Sequence, residues 1–301
     1  MEKKIWYRKI PKVDVLLETE ELQLAIKEWG RAPVTEAVRE ELADIRRWIE
    51  KAEEEREILE VLEHLTVGIV ERTKKMCSAN LRPVINGTGT ILHTNLGRAP
   101  IHVKAAEWAL RIASSYSNLE YNLEGGSRGE RYSHFEELLC RITGAEAAMA
   151  VNNNAAAMLL ILSALGRGGE SIVSRGELVE IGGKFRIPDV MEQSGSILHE
   201  VGCTNKTHYE DYEEAVGEET KLIMKVHTSN YSIVGFTESV PAKELAGLAA
   251  QAGIPLVEDL GSGVFVNLEK YGLPHEPTVQ EAVSNGVDIV CFSGDKLLGG
   301  P

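Results

Sequence analysis

From residue 100 onward, short apolar runs alternate with stretches of helical periodicity, and this alternation limits the chain to few architectures. Strands joined by crossover helices form a mostly parallel sheet, which is buried by helices on both faces. We therefore predict an α/β fold for this region, with ligands at the carboxyl ends of the strands. The predicted strands are 147–151, 171–173, 197–201, 222–227, 255–258 and 287–292, and the predicted helices are 131–142, 154–165, 209–216, 241–252 and 277–285.

The first 82 residues have a different character, because their apolar residues recur at helical spacing throughout. A break at Gly30 and Pro33 separates a first helical part from one long helix, predicted over about 36–76 with Thr35 as its cap. A helical segment of this length is too small to form a large core of its own. We predict a small N-terminal helical domain at 1–82, which docks elsewhere or binds a partner, and a large domain at 83–301.

The net charge of −14 argues by itself against a nucleic-acid partner. The charge is uneven, however, since residues 1–83 carry 16 basic and 18 acidic side chains out of totals of 32 and 46. The N-terminal part therefore permits an RNA contact without predicting one. No apolar run approaches the ~20 residues of a membrane helix. The four cysteines form no CxxC pair, which predicts reduced, mostly buried thiols in a cytoplasmic protein without a metal site.

Lys296 follows the predicted strand 287–292 and lies between Gly294 and Gly299. Pyridoxal phosphate (PLP) enzymes hold their cofactor lysine at such a position, although an isolated SxxK is common among solvated surface lysines. Asp259 lies 37 residues earlier, after another predicted strand. Its carboxylate can accept a hydrogen bond from a protonated pyridine nitrogen and so make the ring an electron sink. Asp295, next to the lysine, is either a second acid or a residue that tunes the lysine.

Three consecutive asparagines, Asn152, Asn153 and Asn154, open a predicted helix after strand 147–151. Backbone N–H groups at a helix start, together with side-chain amides, predict a phosphate site. The alternative is plain capping of the helix by one asparagine. Ser293, three residues before the lysine, is placed to add a further phosphate contact.

Two residues after strand 222–227 are further candidates for cofactor contacts. Asn230 could donate to the phenolic oxygen of the cofactor, and His227 could lie against its ring; a structural role is an equal alternative for each. Arg98, Arg128 and Arg131 lie in glycine-rich polar loops, where the guanidinium fork suits phosphate or carboxylate. For any one arginine, a surface ion pair with Glu130 or Glu124 is at least as good an interpretation.

Several long motifs together resemble the bacterial L-seryl-tRNA(Sec) selenium transferases, also called selenocysteine synthases. The likeness covers essentially the whole chain. The motifs are INGTGTILHTNLGR at 85–98, YSNLEY at 116–121 with GGSRGER at 125–131, VHTSNY at 226–231, EDLGSG at 258–263 and FSGDKLLGGP at 292–301.

The resemblance implies a fold-type-I PLP enzyme with an N-terminal tRNA-binding helical domain, assembled as a ring of dimers. It implies conversion of seryl-tRNA(Sec) to selenocysteinyl-tRNA(Sec) with selenophosphate, through a PLP aldimine and an aminoacrylate. Lys296 is then the PLP lysine, Asp259 the partner of the pyridine nitrogen, and Arg98 a ligand of the donor's phosphate. A subunit of this family continues past its lysine, so we expect the chain to be a C-terminally truncated fragment.

Two other interpretations share part of these features. A PLP-dependent lyase acting on a small amino acid or an amino sugar phosphate would use the same lysine, aspartate and asparagine turn. It would have no need of residues 1–82, which favour the tRNA-dependent enzyme. A non-catalytic tRNA-binding scaffold would bind no cofactor.

Overall fold

The computed structural model describes residues 3–52, 54–181 and 185–300. The chain separates into two compact units, Met1–Ile85 and Asn86–Pro301, called here the N-terminal unit and the large unit. This division falls close to the boundary predicted after residue 82. The first two residues of the predicted helical domain and Pro301 of the lysine motif lie outside the described residues.

The described part of the N-terminal unit is helical, as predicted. Its core contains fully buried side chains from several helices, among them Leu22, Val38, Ile58 and Ile69, so the unit has an apolar core of its own. The helices are α1 Lys3–Lys9, α2 Val13–Leu17, α3 Glu20–Trp29, α4 Arg31–Lys51, α5 Glu55–Glu63 and α6 Leu65–Cys77.

Residues 36–76 do not form the single long helix that was predicted. Helix α4 ends where Ala52 adopts an extended backbone, with ψ of 137°. Arg72 on α6 then donates to Glu41 on α4 at 2.7 Å and to Asp44 at 2.6 Å, so the chain has folded back on itself. The reversal buries the apolar faces of both helices in one core, which a straight helix of that length cannot do.

The predicted break before α4 is confirmed, but the predicted cap is wrong. Gly30 has a φ of +90°, and the helix begins at the next residue. Pro33 lies in the first turn, where a missing N–H leaves no hydrogen bond unmade. Thr35 is already inside the helix, and its hydroxyl donates to Arg31 O at 2.8 Å.

The large unit is built on a five-stranded parallel sheet in the order β6-β3-β7-β8-β9, which confirms the predicted α/β fold. Its strands are β3 Glu170–Ser174, β6 Ile197–Val201, β7 Thr220–Val226, β8 Leu256–Gly261 and β9 Ile289–Phe292; the antiparallel pairs are β1 Tyr121–Asn122 with β2 Ser127–Arg128 and β4 Glu180–Ile181 with β5 Phe185–Arg186. Its helices are α7 Val103–Ala113, α8 Glu136–Thr143, α9 Asn154–Ile161, α10 Ile187–Ser194, α11 Tyr209–Ala215, α12 Ala242–Ala252 and α13 Val279–Ser284.

Alternate side chains of the sheet enter two separate apolar cores, one on each face. Ile223 and Leu256 face a core completed by α11, α12 and α13, and this side is called the α12 face. Met224 and Val257 face a core completed by α9 and α10, and this side is called the α9 face. Within the described ranges, the helices are too short or too polar to cross a lipid bilayer.

Two further expectations from the sequence are wrong. Residues 147–151 form no strand, because no other segment in the described part of the chain pairs with them, and a strand requires a partner. The cysteines are not mostly buried: Cys77 and Cys203 are exposed and Cys140 is partly exposed, while Cys291 is buried. Cys77 lies at the end of α6, where the chain leaves the core.

Candidate functional site

The lysine of the sequence motif lies in a turn directly after β9. Lys296 is half-buried in this turn, and the N–H of the next residue, Leu297, donates to Ser262 O at 3.0 Å. The turn after β9 is therefore fixed against the end of β8. Gly263 allows this approach, since a Cβ there would lie 2.5 Å from the carbonyl oxygen of Ser293, and its φ is +64°. Ser293 is half-buried between the strand and the lysine turn.

Asp259 is the most buried ionisable group near this turn, with 1% of its surface exposed. Its Oδ1 accepts from Asn154 Nδ2 at 2.7 Å and from the Gly261 N–H at 3.0 Å. Burial raises the pKa of Asp259 above its usual range, and the two donors, followed by the nearby Lys296 and His227, oppose that rise. Together these groups give the carboxylate partial compensation for its loss of water.

Several buried polar atoms at this point have no hydrogen-bond partner among the described residues. They include Asp259 Oδ2, Asn154 Oδ1 and Ser262 Oγ. A buried acceptor without a donor costs free energy, and such atoms are uncommon in folded proteins. Two acceptor oxygens beside a lysine fit a ligand that carries a protonated ring nitrogen, so the residues present suit a PLP ring.

The three asparagines that were predicted to bind phosphate differ in their contacts. Asn152 is exposed before α9, whereas Asn153 caps α9 through a hydrogen bond from the Ala156 N–H at 2.9 Å. Asn154 is the first residue of the helix, and its amide is engaged with Asp259. The helix start predicted from the sequence is present. A role of all three side-chain amides as phosphate donors stays a prediction, and the amide of Asn154 is already engaged with Asp259.

The two candidates after β7 also differ. His227 lies beside β8, because its N–H donates to Asp259 O at 2.9 Å and its Nδ1 lies 3.1 Å from Leu260 O. Asn230 is exposed and donates to Glu180 O at 2.8 Å, which engages the amide that was predicted to reach a cofactor oxygen. Of the pair, His227 is the residue that lies near Asp259.

Arg98 forms an ion pair with Asp295, the neighbour of the lysine. The two residues are 197 positions apart in sequence, and both side chains are partly exposed. Arg98 has a φ of +61°, an unusual value for a residue other than glycine, and it directly follows Gly97 at +83°. The loop thus turns tightly at the point where its guanidinium reaches the lysine turn.

Arg128 and Arg131 lie on and just after the β1–β2 hairpin and share one partner. Both pair with Glu120, at 3.4 and 2.6 Å, rather than with Glu124 or Glu130 as the sequence suggested. Their side chains are 86% and 69% exposed. Their contacts within the described residues are those of surface ion pairs, the alternative stated above.

A buried cluster of charged residues on the α12 face was not predicted from the sequence. Lys225 Nζ donates to Glu177 Oε1 at 2.8 Å, and the Val226 N–H donates to Glu177 Oε2 at 2.9 Å. Glu258 pairs with Lys225 in the β7–β8 register, so the two side chains share a face. All three charged residues line a cavity of about 450 Å³. The sequence feature that could have indicated this cluster is the lysine inside the apolar run of β7.

The pKa of Glu258 is raised by burial from 4.5 to about 7, with Lys225 lowering it and Glu177 and Asp259 raising it further. The folded state therefore holds this proton more tightly than the unfolded state, and stability falls as pH rises from about 4.5 to about 7.

We expect Glu258→Gln to flatten this dependence and to raise the free energy of unfolding by roughly 2–3 kcal/mol at about pH 8, with little effect at about pH 4. Urea unfolding followed by far-UV circular dichroism at both pH values measures it. The matched change Glu269→Gln, at an exposed position, should leave the pH dependence as it is. An equal pH dependence in the parent and Glu258→Gln would contradict the assignment.

Comparison with known proteins shows the family of the chain and supports its fold. Residues 84–301 match the family described as L-seryl-tRNA selenium transferase, and residues 7–46 match the selenocysteine synthase N-terminal family. The L-seryl-tRNA(Sec) selenium transferase of Caldanaerobacter subterraneus subsp. tengcongensis is 55% identical over 98% of this chain and 63% of its own length. That of Geobacter sulfurreducens is 52% identical over 98% of this chain and 64% of its own.

Among solved structures, a D-glucosaminate-6-phosphate ammonia-lyase superposes with a TM-score of 0.55 at 20% identity, covering 69% of this chain and 53% of the lyase. At that identity the likeness concerns the fold alone, and it confirms the predicted fold type I. The chain spans 63–64% of the length of the two transferases. The family match extends over most of the chain and both of its units, and the chain therefore belongs to the L-seryl-tRNA selenium transferase family.

Proposed function

We propose that this chain is the part of an L-seryl-tRNA(Sec) selenium transferase that holds PLP and performs the proton transfers of the reaction. The whole enzyme would convert seryl-tRNA(Sec) to selenocysteinyl-tRNA(Sec) with selenophosphate as the donor. The observation that carries the proposal is Asp259, a buried carboxylate with an unpartnered oxygen, at the strand end against which the turn of Lys296 is fixed.

When bound, PLP accepts the electron pair left behind as a proton leaves the substrate Cα. Lys296 is the residue that bonds the cofactor, and its amine, once free, removes and returns the Cα proton. Asp259 keeps the proton on the ring nitrogen by accepting a hydrogen bond at Oδ2. The N–H groups at the start of α9 bind the phosphate, with Asn152, Asn153 and Ser293 as the candidate side-chain donors.

Arg98 is the candidate ligand for the phosphate of the selenium donor. Its guanidinium is paired with the Asp295 carboxylate, so a phosphate dianion would compete with that carboxylate for it. Asp295 would then be free beside Lys296 to act as an acid or base at the leaving β-hydroxyl. Arg128 and Arg131, which expose most of their guanidinium surface, are candidates for contacts with phosphates of the tRNA.

Residues 1–82 are proposed as the tRNA-binding domain. Their nearly balanced charge leaves local basic groups, among them Arg8, Lys9, Lys12, Lys74 and Lys75, to contact phosphates. The whole enzyme would act in the cytoplasm, and a ring of dimers is the assembly proposed for it.

The function is tested with the chain extended to the length of its relatives and loaded with PLP. Seryl-tRNA(Sec) and selenophosphate are supplied, and selenocysteinyl-tRNA is measured by acid gel and mass spectrometry after deacylation. We expect turnover of the esterified serine and none of free serine. Turnover of a small amino acid or an amino sugar phosphate, without reaction of seryl-tRNA, would instead establish the lyase alternative.

A further inference from the structure

Asn154 makes a contact that its position in the sequence does not suggest. It opens α9, a place where asparagine ordinarily caps a helix or binds an anion. Its side chain instead crosses to β8 and donates to Asp259 Oδ1 at 2.7 Å, across 105 residues of sequence. Capping is performed by the preceding residue, Asn153, so helix formation does not require this second asparagine.

The chemistry of the pair fixes which end of the amide faces the acid. An ionised carboxylate accepts hydrogen bonds and donates none, so the amide must present its NH₂ group to Asp259. The Gly261 N–H donates to the same oxygen at 3.0 Å. Two donors therefore hold Oδ1, which fixes the rotation of the carboxylate and leaves Oδ2 without a partner in the described part of the chain.

We propose that Asn154 is the positioning residue of Asp259: it holds the carboxylate through Oδ1, so that Oδ2 is the acceptor for the ring nitrogen of PLP. This inference rests on the proposed function and adds to it a residue that acts through another. It replaces the phosphate contact predicted for Asn154 from sequence.

The hydrogen bond from Asn154 to Asp259 also affects whether the shared proton lies on the Asp259 carboxylate or on the ring nitrogen of PLP. Burial raises the pKa of Asp259, and the Asn154 amide is the largest of the influences that lower it. Lys296 and His227 also lower it, while Glu258 and the buried Cys291 are the other titratable groups that interact with it. Without the amide, the carboxylate becomes more basic and draws the proton from the ring nitrogen toward itself.

The test uses the purified protein loaded with PLP that carries ¹⁵N in its ring, compared with Asn154→Asp and Asn154→Ala. The first variant keeps the shape of the side chain and removes the amide donor; the second removes the donor without adding an acid. The ¹⁵N chemical shift reports whether the ring nitrogen is protonated, and fluorescence titration gives the dissociation constant of PLP. Circular dichroism checks that each variant is folded.

We expect the ¹⁵N signal of both variants to move toward that of an unprotonated pyridine, and the dissociation constant of PLP to rise about tenfold, as loss of a hydrogen bond to a charged group would cause. The matched control is Asn267→Asp, where the side chain caps a short helix by accepting from Glu269 N–H and an aspartate accepts equally well. Its ¹⁵N signal and PLP affinity should equal those of the parent.

Failure of the proposed function and failure of the positioning role alone give different results. If the parent protein itself gains no PLP on Lys296, the proposed function fails and this inference fails with it. If the parent carries PLP on Lys296 with a protonated ring nitrogen, and folded Asn154→Ala shows the same ¹⁵N shift and the same affinity, the positioning role alone is overturned. A loss of helix α9 without a change in the ¹⁵N shift would likewise assign Asn154 a purely structural role.

Discussion

Replacing Lys296 with alanine is expected to abolish covalent attachment of PLP and to lower turnover of seryl-tRNA(Sec) by at least about a thousandfold, because one side chain supplies both the nucleophile for the cofactor and the base for the substrate Cα. The loss should exceed that from any other single substitution in the large unit. The fold should survive, since Lys296 is half-buried in a turn and its side chain has no hydrogen-bond partner in the described residues.

Borohydride reduction followed by peptide mass spectrometry measures the attachment, and the selenocysteinyl-tRNA assay measures turnover. Lys270→Ala is the matched control, because that lysine is exposed in a short helix of the same unit and should change neither quantity. Addition of a small primary amine should restore part of the activity of Lys296→Ala by replacing the missing base. Labelling of a different lysine, or undiminished turnover in Lys296→Ala, would disprove the assignment.

The fold was predictable where local pattern determines it. Apolar runs such as 171–173 and 287–292 became strands β3 and β9 because they alternate with crossover helices. Residues 147–151 have the same apolar character but pair with nothing among the described residues, and a strand is a property of two segments rather than of one. Likewise, no local signal shows that α6 folds back to bring Arg72 against Glu41.

The sequence was sufficient to predict at which edge of the sheet the site lies. The rule for parallel sheets brought Asp259 and the Lys296 turn together, because Asp259 lies near the carboxyl end of β8 and the turn follows the neighbouring strand β9. The side-chain contacts were not predictable, since Asn154 with Asp259 and Arg98 with Asp295 join residues separated by 105 and 197 positions. The spacing of residues in the sequence predicts which strand ends are neighbours. Which polar atoms then form hydrogen bonds depends on side-chain rotamers and on the conformation of the loops.

Glu177→Ala is expected to produce the largest loss of stability in the large unit, on the order of 3–5 kcal/mol, because it leaves a largely buried lysine without the carboxylate to which it donates. The side chains of Glu177 and Lys225 are only 8% and 17% exposed. The substitution also removes the acceptor of the Val226 N–H at the end of β7. A loss of this size is a large part of the stability of an ordinary domain.

Hydrogen exchange of peptides spanning β7 measures this loss better than tryptophan fluorescence, because all four tryptophans (Trp6, Trp29, Trp48 and Trp108) lie outside the five-stranded sheet. Glu180→Ala is the matched control: its carboxylate pairs with Arg186 at the exposed surface, so protection of β7 should be unchanged. Adding Lys225→Met to Glu177→Ala should recover part of the stability by removing the unpaired charge. If the single and double variants are equally destabilised, the cost arises from the lost N–H acceptor and not from the buried charge.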